Sequence, residues 1–438
     1  MKNSVSENNF PNNILSQGQD PYGLILKGER EEKILTINCG SSSLKYSFYD
    51  TRNEELNVRG LIERIGISGT RLVHHWSGGE VKLELEKNDF PSALSAMNDA
   101  LTHKEYGVVK NSAEITLVAH RVVHGGDKFT EATLITDKVL EELEILSPLA
   151  PLHNPVNILG IRAMQRLYPE VPQVAVFDTA FHSTLPAFAY LYGLPYEMYE
   201  EKRIRRYGFH GTSHQYVSLK VAQALDRNPS ELRIVSCHLG NGSSLCAIEH
   251  GKSIDTSMGF TPAEGLIMGT RCGDIDIGVL AYLERTTGMT ASQSEELLNK
   301  KSGLLGMSGI SSDMRDILKS AEEGNHRALL TLKTYCYRVR KYLGSYIAAM
   351  GGIDAIVFTG GIGQGSSEVR ALALQGLDCM GIVIDEKKNQ DAKFSEITRI
   401  STNDSRVSVL VVPTDEERMM ACEALRTINK SIMPSSGS

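Results

Sequence analysis

Short apolar runs alternate with amphipathic segments along most of the chain. The runs that have the length of buried strands are residues 34–38, 44–49, 115–119, 174–177, 234–238, 355–358 and 407–411. Residues 326–350 instead repeat apolar positions at steps of three and four, which predicts a helix. Because strand-like and helix-like segments alternate, the pattern indicates an α/β fold.

The two ends of the chain lack this pattern. Residues 1–32 form a polar extension rich in Asn and Ser, which we predict to be disordered. The closing residues 434–438 (PSSGS) are expected to fray. A length of 438 residues exceeds what one hydrophobic core usually supports, so the segment between the two ends is expected to form two domains.

Composition narrows the class of protein. The apolar fraction of 41% and the charged fraction of 23% are ordinary for a globular chain. A formal net charge of −7 argues against a nucleic acid or an anionic membrane as partner. The seven cysteines include no C-x-x-C pair, and neither a signal-peptide core nor a membrane-spanning run is present. We therefore expect a cytoplasmic protein without structural zinc or disulfides.

A short motif occurs twice. Residues 37–45 (INCGSSSLK) and 237–245 (CHLGNGSSL) each join an apolar run, a Gly/Ser/Asn turn and a second strand-like run. Two such copies suggest a duplicated domain, although two Gly/Ser turns can also resemble each other by chance. Turns of this kind expose backbone N–H groups that can surround phosphate oxygens, but they also occur as plain hairpin turns. Lys45 and Asn241 favour phosphate.

A third glycine cluster, residues 358–363 (FTGGIG), follows an apolar run. It suits either a base lying against bare backbone or a tight strand-to-helix turn. Two further segments carry arginine beside glycine, residues 120–126 (HRVVHGG) with Arg121 and 269–276 (GTRCGDID) with Arg271. Arginines can hold a carboxylate or a transferring phosphoryl group, and the alternative for Arg121 is a surface salt bridge.

The segment 207–214 (YGFHGTSH) sets His210 between two glycines, and we predict that Thr212 and Ser213 cap the next helix. The spacing of His210 and His214 allows a zinc pair, but no third ligand is evident. A catalytic or phosphate-binding His210 is the better interpretation.

Acidic residues follow two of the predicted strands. Asp178 ends the run 174–177, where open α/β sheets bind ligands, and Glu416 and Glu417 follow the run near the C-terminus. Thr414 is a candidate cap for the last helix. Acids at a helix start are common for dipole reasons alone, but Asp and Glu beside phosphate could also hold Mg²⁺.

Taken together, these segments resemble the acetate kinase family from about residue 33 to 428. The motifs that carry the resemblance are residues 38–45, 120–126, 151–155, 178–182, 208–214, 238–244, 261–265, 269–276, 311–316, 359–363 and 413–417. Their number and order exclude coincidence.

The resemblance implies a fold shared with sugar kinases and actin, in which two duplicated actin-like, ribonuclease-H-like α/β domains flank a central cleft. Residues 33–180 with a C-terminal helix at 418–430 would form the N-terminal domain, and 181–417 the nucleotide-binding C-terminal domain. The implied activity is reversible, Mg²⁺- or Mn²⁺-dependent transfer of the ATP γ-phosphoryl group to acetate, giving acetyl phosphate and ADP, on the way to acetyl-CoA. A homodimer is the implied assembly.

The resemblance also implies roles for matching positions. The catalytic set is Arg121, Asp178, His210 and Arg271. The groups that stabilise the transition state are His153, His210 and Arg271. The acetate pocket is Arg121, Val123, Leu152, Phe209 and Pro262. The nucleotide and phosphate set is Ser41, Ser43, Lys45, His238, Gly240, Asn241, Gly242, Asp313, Arg315, Gly361, Ile362 and Gly363. The positions tied to the metal are Asn38 and Glu416.

Two alternatives remain open. A propionate kinase, or a kinase of another short-chain carboxylate, would use the same scaffold with a different pocket size. A nucleotide-gated binding module, like actin or a chaperone ATPase, would hydrolyse ATP slowly and ignore acetate.

Overall fold

The computed structural model is a mixed α/β protein and describes residues 22–26 and 31–432. Its strands are β1 (Lys33–Cys39), β2 (Ser43–Asp50), β3 (Glu55–Glu63), β4 (Arg71–Trp76), β5 (Gly79–Glu84), β6 (Leu117–Val122), β7 (Thr133–Leu134), β8 (Gln173–Phe177), β9 (Arg233–Leu239), β10 (Ser243–Glu249), β11 (Lys252–Thr256), β12 (Ala355–Thr359), β13 (Thr398–Arg399) and β14 (Ser408–Val411). Its α-helices are α1 (Phe90–Leu101), α2 (Asp137–Leu146), α3 (Asn154–Leu167), α4 (Ala187–Tyr190), α5 (Tyr196–Lys202), α6 (Gly211–Ala224), α7 (Ile277–Thr287), α8 (Ala291–Lys300), α9 (Gly303–Ser308), α10 (Met314–Glu322), α11 (His326–Ala349), α12 (Gly360–Gly365), α13 (Ser367–Leu374), α14 (Glu386–Asp391) and α15 (Glu416–Ile432).

The chain divides into two compact units. The first unit comprises Gly23–Phe181 and the segment that begins at Asp415, and the second comprises His182–Thr414. The sheet of the first unit has the order β5-β4-β3-β2-β1-β6-β8-β7. Strand β1 pairs antiparallel with β2 and parallel with β6, and β6 pairs parallel with β8.

The second unit repeats this arrangement. Its sheet has the order β11-β10-β9-β12-β14-β13, in which β9 pairs antiparallel with β10 and parallel with β12. Strand β12 in turn pairs parallel with β14. An antiparallel meander, of five strands in the first unit and three in the second, is therefore followed in both units by two parallel strands, which confirms the predicted duplication of an α/β domain.

Alternation along β1 divides the core of the first unit between the two faces of its sheet. Leu35 and Ile37 pack in a cluster with α1 and α3, whereas Ile34 packs in the cluster that contains Met420 and Leu425 of α15. The C-terminal helix thus covers one face of the sheet built by the N-terminal strands.

The core of the second unit joins β9 and β12 to the longest helix, α11. Val235 and Phe358 share a buried cluster with Val339 and Leu343. Among the helices of residues 22–26 and 31–432, none is long and apolar enough to cross a membrane.

Local details differ from the sequence predictions. The run predicted at 115–119 extends as β6 to Val122, so Arg121 lies within a strand. Helix α12 begins directly after β12, where a turn was predicted. The predicted cap Thr414 is wrong, because Oδ1 of Asp415 accepts the bond from the Arg418 N–H, at 3.0 Å. Asp415 was overlooked because both residue types favour this position.

Part of the N-terminal extension is ordered against α15. Leu24 and Leu26 are buried, and Arg418 donates to the carbonyl of Leu24, at 3.1 Å. The predicted disorder is therefore wrong for these residues. Leu24 and Leu26 are apolar side chains at alternate positions, and both are buried. Residues 1–21, 27–30 and 433–438 lie outside the described part of the chain.

Substitution of Leu26 tests this docking. Leu26→Ala should reduce the free energy of unfolding by about 2–5 kcal/mol, the usual range for a leucine removed from a core. The single tryptophan, Trp76, lies in β4 and allows urea unfolding of the first unit to be followed by fluorescence. Leu159→Ala, at a half-exposed position of α3, is the control. Equal midpoints for the two variants would contradict the docking.

Candidate active site

A buried ion pair anchors the candidate residues of the first unit. Arg121 on β6 donates from Nε and Nη2 to the two carboxylate oxygens of Asp178, at 2.8 and 2.6 Å. The backbone N–H of Asp178 donates to Val122, which ties the residue after β8 to the end of β6. Burial by itself lowers the pKa of the Arg121 guanidinium, but Asp178 raises it well above its usual value. The alternative of a surface salt bridge is therefore wrong for Arg121, which forms a largely buried, bidentate pair with Asp178.

Glu416 is a second carboxyl group near the Arg121–Asp178 ion pair. Burial raises the pKa of the Glu416 carboxyl to about 7. Arg121 and Lys45 lower this pKa, whereas Asp178 and Glu417 raise it. Burial is thus the main cause of the raised pKa, and the nearby cations offset it only in part.

The start of α3 fixes the segment that follows Arg121. Asn157 accepts from the N–H of Val123 at 3.1 Å, and Asn154 both accepts from and donates to the backbone of His124. Val123 is buried. Leu152 and His153 immediately precede α3, where Leu152 is 65% exposed.

The turn between β1 and β2 presents the first phosphate-side candidates. Gly40 donates to the carbonyl of Ser43 at 2.8 Å, and Asn38 lies opposite Lys45 in the strand register. Ser41 and Lys45 are exposed, whereas Ser43 is partly buried. The turn therefore connects the two strands of a β-hairpin, and its backbone amides and serine hydroxyls lie close together.

The matching turn of the second unit lies beside His210 and Arg271. A Cβ atom placed on Gly242 would lie 3.3 Å from Cε1 and Nε2 of His210 and 3.7 Å from Nη1 of Arg271. A Cβ placed on Gly240 would lie 3.9 Å from the backbone nitrogen of Gly361. Asn241 accepts from the N–H of Gly269, which holds this turn against the segment of Arg271.

Arg271 is a partly buried cation that has no carboxylate partner in the described part of the chain. Its Nη1 lies 3.4 Å from the carbonyl of Pro262 and 3.8 Å from the sulfur of Met268. Within the described residues, no Asp or Glu forms an ion pair with it. Burial lowers the pKa of the guanidinium. A desolvated, uncompensated positive charge favours binding of an anion.

His210 occupies an unusual backbone conformation. It directly precedes α6 with φ 57° and ψ 23°, which non-glycine residues rarely adopt. Its Nδ1 contacts Ser244 Oγ at 2.9 Å, and its ring stacks on His238 with centroids 4.2 Å apart. The predicted caps Thr212 and Ser213 are wrong, because both lie inside the first turn of α6. The helix begins two residues earlier than predicted, since Gly211 can enter it.

Two of the predicted pocket residues lie in this unit. Phe209 is buried, and its carbonyl accepts from Nε2 of His182 at 2.9 Å. Pro262 is partly buried and contacts Arg271 through its carbonyl. Their partners from the sequence prediction, Val123 and Leu152, belong to the first unit.

The predicted adenosine residues group at the starts of α10 and α12. Asp313 caps α10 and binds Arg315 through Nη2 at 2.5 Å, while the Arg315 side chain is 88% exposed. Gly361, Ile362 and Gly363 form α12.

A buried arginine holds the glycine helix in place. Arg370 donates from Nη1 to the carbonyls of Gly363 and Gln364, both at 2.9 Å, and from Nε to Asn389. Burial lowers the pKa of Arg370 to about 10. The sequence prediction missed Arg370, because an arginine within a helix is usually expected at an exposed position.

The prediction also missed the groups behind His210. His214 Nε2 contacts Ser244 Oγ at 2.7 Å, so both histidines of the i, i+4 pair meet one hydroxyl rather than a zinc ion. The spacing was noted, but the serine lies thirty residues away in the chain.

The predicted metal positions lie on β1 and α15. In the two described ranges, no three His, Cys, Asp or Glu side chains come together as a ready metal site. The Asn38 amide and the Glu416 and Asp178 carboxylates are nonetheless oxygen donors of the kind Mg²⁺ prefers.

Comparisons with known proteins agree along most of the chain. The acetokinase family model matches residues 33–422. An acetate kinase of Clostridium novyi (strain NT) is 51% identical over 399 residues, which is 91% of this chain and 99% of that protein. The crystal structure of Porphyromonas gingivalis acetate kinase has a TM-score of 0.86 at 44% identity and covers 91% of this chain and 100% of its own. A propionate kinase from Francisella tularensis has a TM-score of 0.84 at 40% identity, with coverage of 90% and 99%.

The duplicated α/β fold and these matches define the class of protein as a phosphotransferase that has a carboxyl group as acceptor. Within this class, the chain belongs to the acetokinase family.

Because Arg271 has no carboxylate partner in the described part of the chain, its substitution can separate an effect on activity from an effect on stability. Arg271→Met should reduce turnover by roughly 10³-fold or more, as for other arginines that stabilise phosphoryl transfer. Its melting temperature should stay equal or rise, because the change removes a buried charge without a partner.

Sulfate should raise the melting temperature of the wild type more than that of this variant. Arg285→Met, at an exposed position of α7, serves as the control. A variant that keeps its turnover but loses stability would assign Arg271 a structural role instead.

Proposed function

We propose that this protein reversibly transfers the γ-phosphoryl group of ATP to acetate, forming acetyl phosphate and ADP. The observation that supports this most directly is Arg271, which is partly buried, has no ion-pair partner among the described residues and lies beside His210 and the Gly242 turn. A transferring phosphoryl group carries its charge on three equatorial oxygens, which such an arginine can neutralise. Membership of the acetokinase family supports acetate as the acceptor.

Arg121 is the proposed ligand of the acceptor carboxylate. Its Nε and Nη2 bind Asp178, so Asp178 fixes the plane of the guanidinium while Nη1 is left to donate to acetate. Acetate is already ionised at neutral pH, so no general base is required. The work of the protein is then positioning and charge neutralisation, to which we propose that His153 and His210 also contribute.

The nucleotide is proposed to bind along the glycine turns. In the second unit, phosphate oxygens would be contacted by His238 and by the turn Gly240, Asn241 and Gly242. In the first unit, phosphate oxygens would be contacted by Ser41, Ser43 and Lys45. The adenosine would lie on the bare backbone of Gly361, Ile362 and Gly363, near Asp313 and Arg315. Arg370 supports this assignment, because it holds the carbonyl end of that glycine helix.

Asn38 and Glu416, together with Asp178, are the proposed holders of Mg²⁺ or Mn²⁺. When bound, the ion would neutralise phosphate charge. Glu416→Gln should raise the Mg²⁺ concentration for half-maximal activity at least about tenfold, because the amide cannot supply the negative charge.

This prediction is checked by titrating MgCl₂ at saturating ATP and acetate. Glu131→Gln, an exposed carboxylate of the same unit, should leave the titration unchanged. An unaltered Mg²⁺ requirement in Glu416→Gln would remove Glu416 from the metal site.

A propionate kinase is the second candidate, supported by the structural likeness to such an enzyme. Val123 is buried and fixed through its backbone by Asn157, which limits the space beside Arg121. One methylene in an apolar pocket is worth about 10–200-fold in specificity. We therefore expect acetate to be preferred to propionate.

The expected preference is measured as kcat/KM for each acid in a hydroxamate assay with ATP and Mg²⁺. Val123→Ala should narrow it by improving the use of propionate, whereas Val139→Ala on α2 should not. Equal values for the two acids in the wild type would favour the propionate kinase, and no hydroxamate with either acid would reject both.

We also propose a homodimer and a cytoplasmic location. Helix α7 and the segment before it expose Ile275, Ile277, Val279 and Tyr282, an apolar surface of the kind that subunits cover. None of the seven cysteines, which all lie in the described part of the chain, forms a disulfide, and this suits a reducing compartment.

A further inference from the structure

A chain of buried hydroxyl and imidazole groups leads to His210. Ser236 Oγ lies 2.9 Å from Nδ1 of His214, and Nε2 of His214 lies 2.7 Å from Ser244 Oγ. Ser244 Oγ lies 2.9 Å from Nδ1 of His210. Ser236, His214 and Ser244 are completely buried, so their hydrogen bonds are shielded from bulk water.

The direction of this chain is set at Ser236. Within the described residues, the Ser236 hydroxyl has one hydrogen-bond partner, Nδ1 of His214. A buried hydroxyl that only accepted would leave its proton without an acceptor, which is unfavourable. Ser236 therefore donates, and Nδ1 of His214 accepts. The neutral ring of His214 then carries its proton on Nε2.

The same reasoning passes through Ser244. The Nε2–H of His214 donates to Ser244 Oγ, so the single proton of that hydroxyl is directed to Nδ1 of His210. A neutral His210 that accepts at Nδ1 carries its own proton on Nε2. This nitrogen lies next to the Gly242 turn and Arg271.

We propose that Ser236, His214 and Ser244 are positioning residues that fix His210 as the Nε2–H tautomer, so that it donates a hydrogen bond to the transferring phosphoryl group. The tautomer follows from the hydrogen bonds alone, and its use in catalysis rests on the proposed function. In the opposite direction, His210 would present a lone pair to an anion and Ser236 would keep an unpaired proton.

The tautomer can be read without any activity. In protein labelled with ¹⁵N-histidine, long-range ¹H–¹⁵N correlations distinguish Nε2–H from Nδ1–H rings, and His210→Gln identifies the signal of that residue. We expect the Nε2–H pattern for both His210 and His214 in the wild type. An Nδ1–H pattern at His210 would overturn the proposal, whether or not the protein phosphorylates acetate.

Kinetics test the consequence. Ser236 does not contact His210, but Ser236→Ala removes the partner that selects the tautomer of His214. The variant should therefore lower kcat about tenfold or more, while the KM values stay within about threefold. Ser244→Ala should lower kcat at least as much. Ser218→Ala on α6 removes another buried hydroxyl, bonded to a backbone carbonyl, and should behave as the wild type.

The outcomes are distinguishable. If Ser236→Ala keeps its kcat within twofold and the His210 signal is unchanged, the relay is wrong. If the wild type shows the expected tautomer but phosphorylates no carboxylate, the proposed function fails and the relay stands.

Discussion

Buried charge that lacks a full counter-ion is the constraint on which the candidate site depends. In the second unit, the Arg271 guanidinium is surrounded by a carbonyl and a thioether rather than by a carboxylate. In the first unit the imbalance has the opposite sign, because burial and Asp178 hold the pKa of Glu416 near 7 in spite of Arg121. Both arrangements disfavour the empty protein, and binding an anion or a cation relieves them. We infer that Arg271 and Glu416 are matched to ligands, whereas Arg121 and Asp178 are matched to each other.

The duplicated fold explains how such opposite surroundings arise on one framework. In each unit the central strand pairs with its antiparallel neighbour across a Gly/Ser turn, with Asn38 opposite Lys45 in one and His238 opposite Ser244 in the other. Lys45 and Ser244 thus occupy comparable places in the two hairpins. Lys45 is exposed to solvent, whereas Ser244 is buried and contacts His210 and His214. The backbone provides the turn twice, and the side chains give each copy its own chemistry.

The sequence predicted the fold well because its signals are local. A buried strand must be apolar along its length, and a repeated turn keeps the same residue types, so both units could be located from short segments. The contacts of His214 and Arg370 could not be located in this way. Ser244 and Asn389 come from other elements, and no local periodicity reports which side chains meet across a fold. Leu26 was missed for a related reason, because two leucines are too few to register as a pattern.

The identity of the group behind His210 decides what that histidine can do. A carboxylate at this place would accept from Nδ1–H and leave Nε2 as a base, as in hydrolases that must deprotonate a nucleophile. It would also bring a negative charge toward the Arg271 guanidinium. In the proposed relay the Ser244 hydroxyl, which contacts Nδ1, does neither, since it is uncharged and donates. A carboxylate substrate needs no base, so a site for it is better served by a second donor. The neutral relay of serine and histidine that we propose would supply that donor and leave the positive charge of Arg271 to the phosphoryl group.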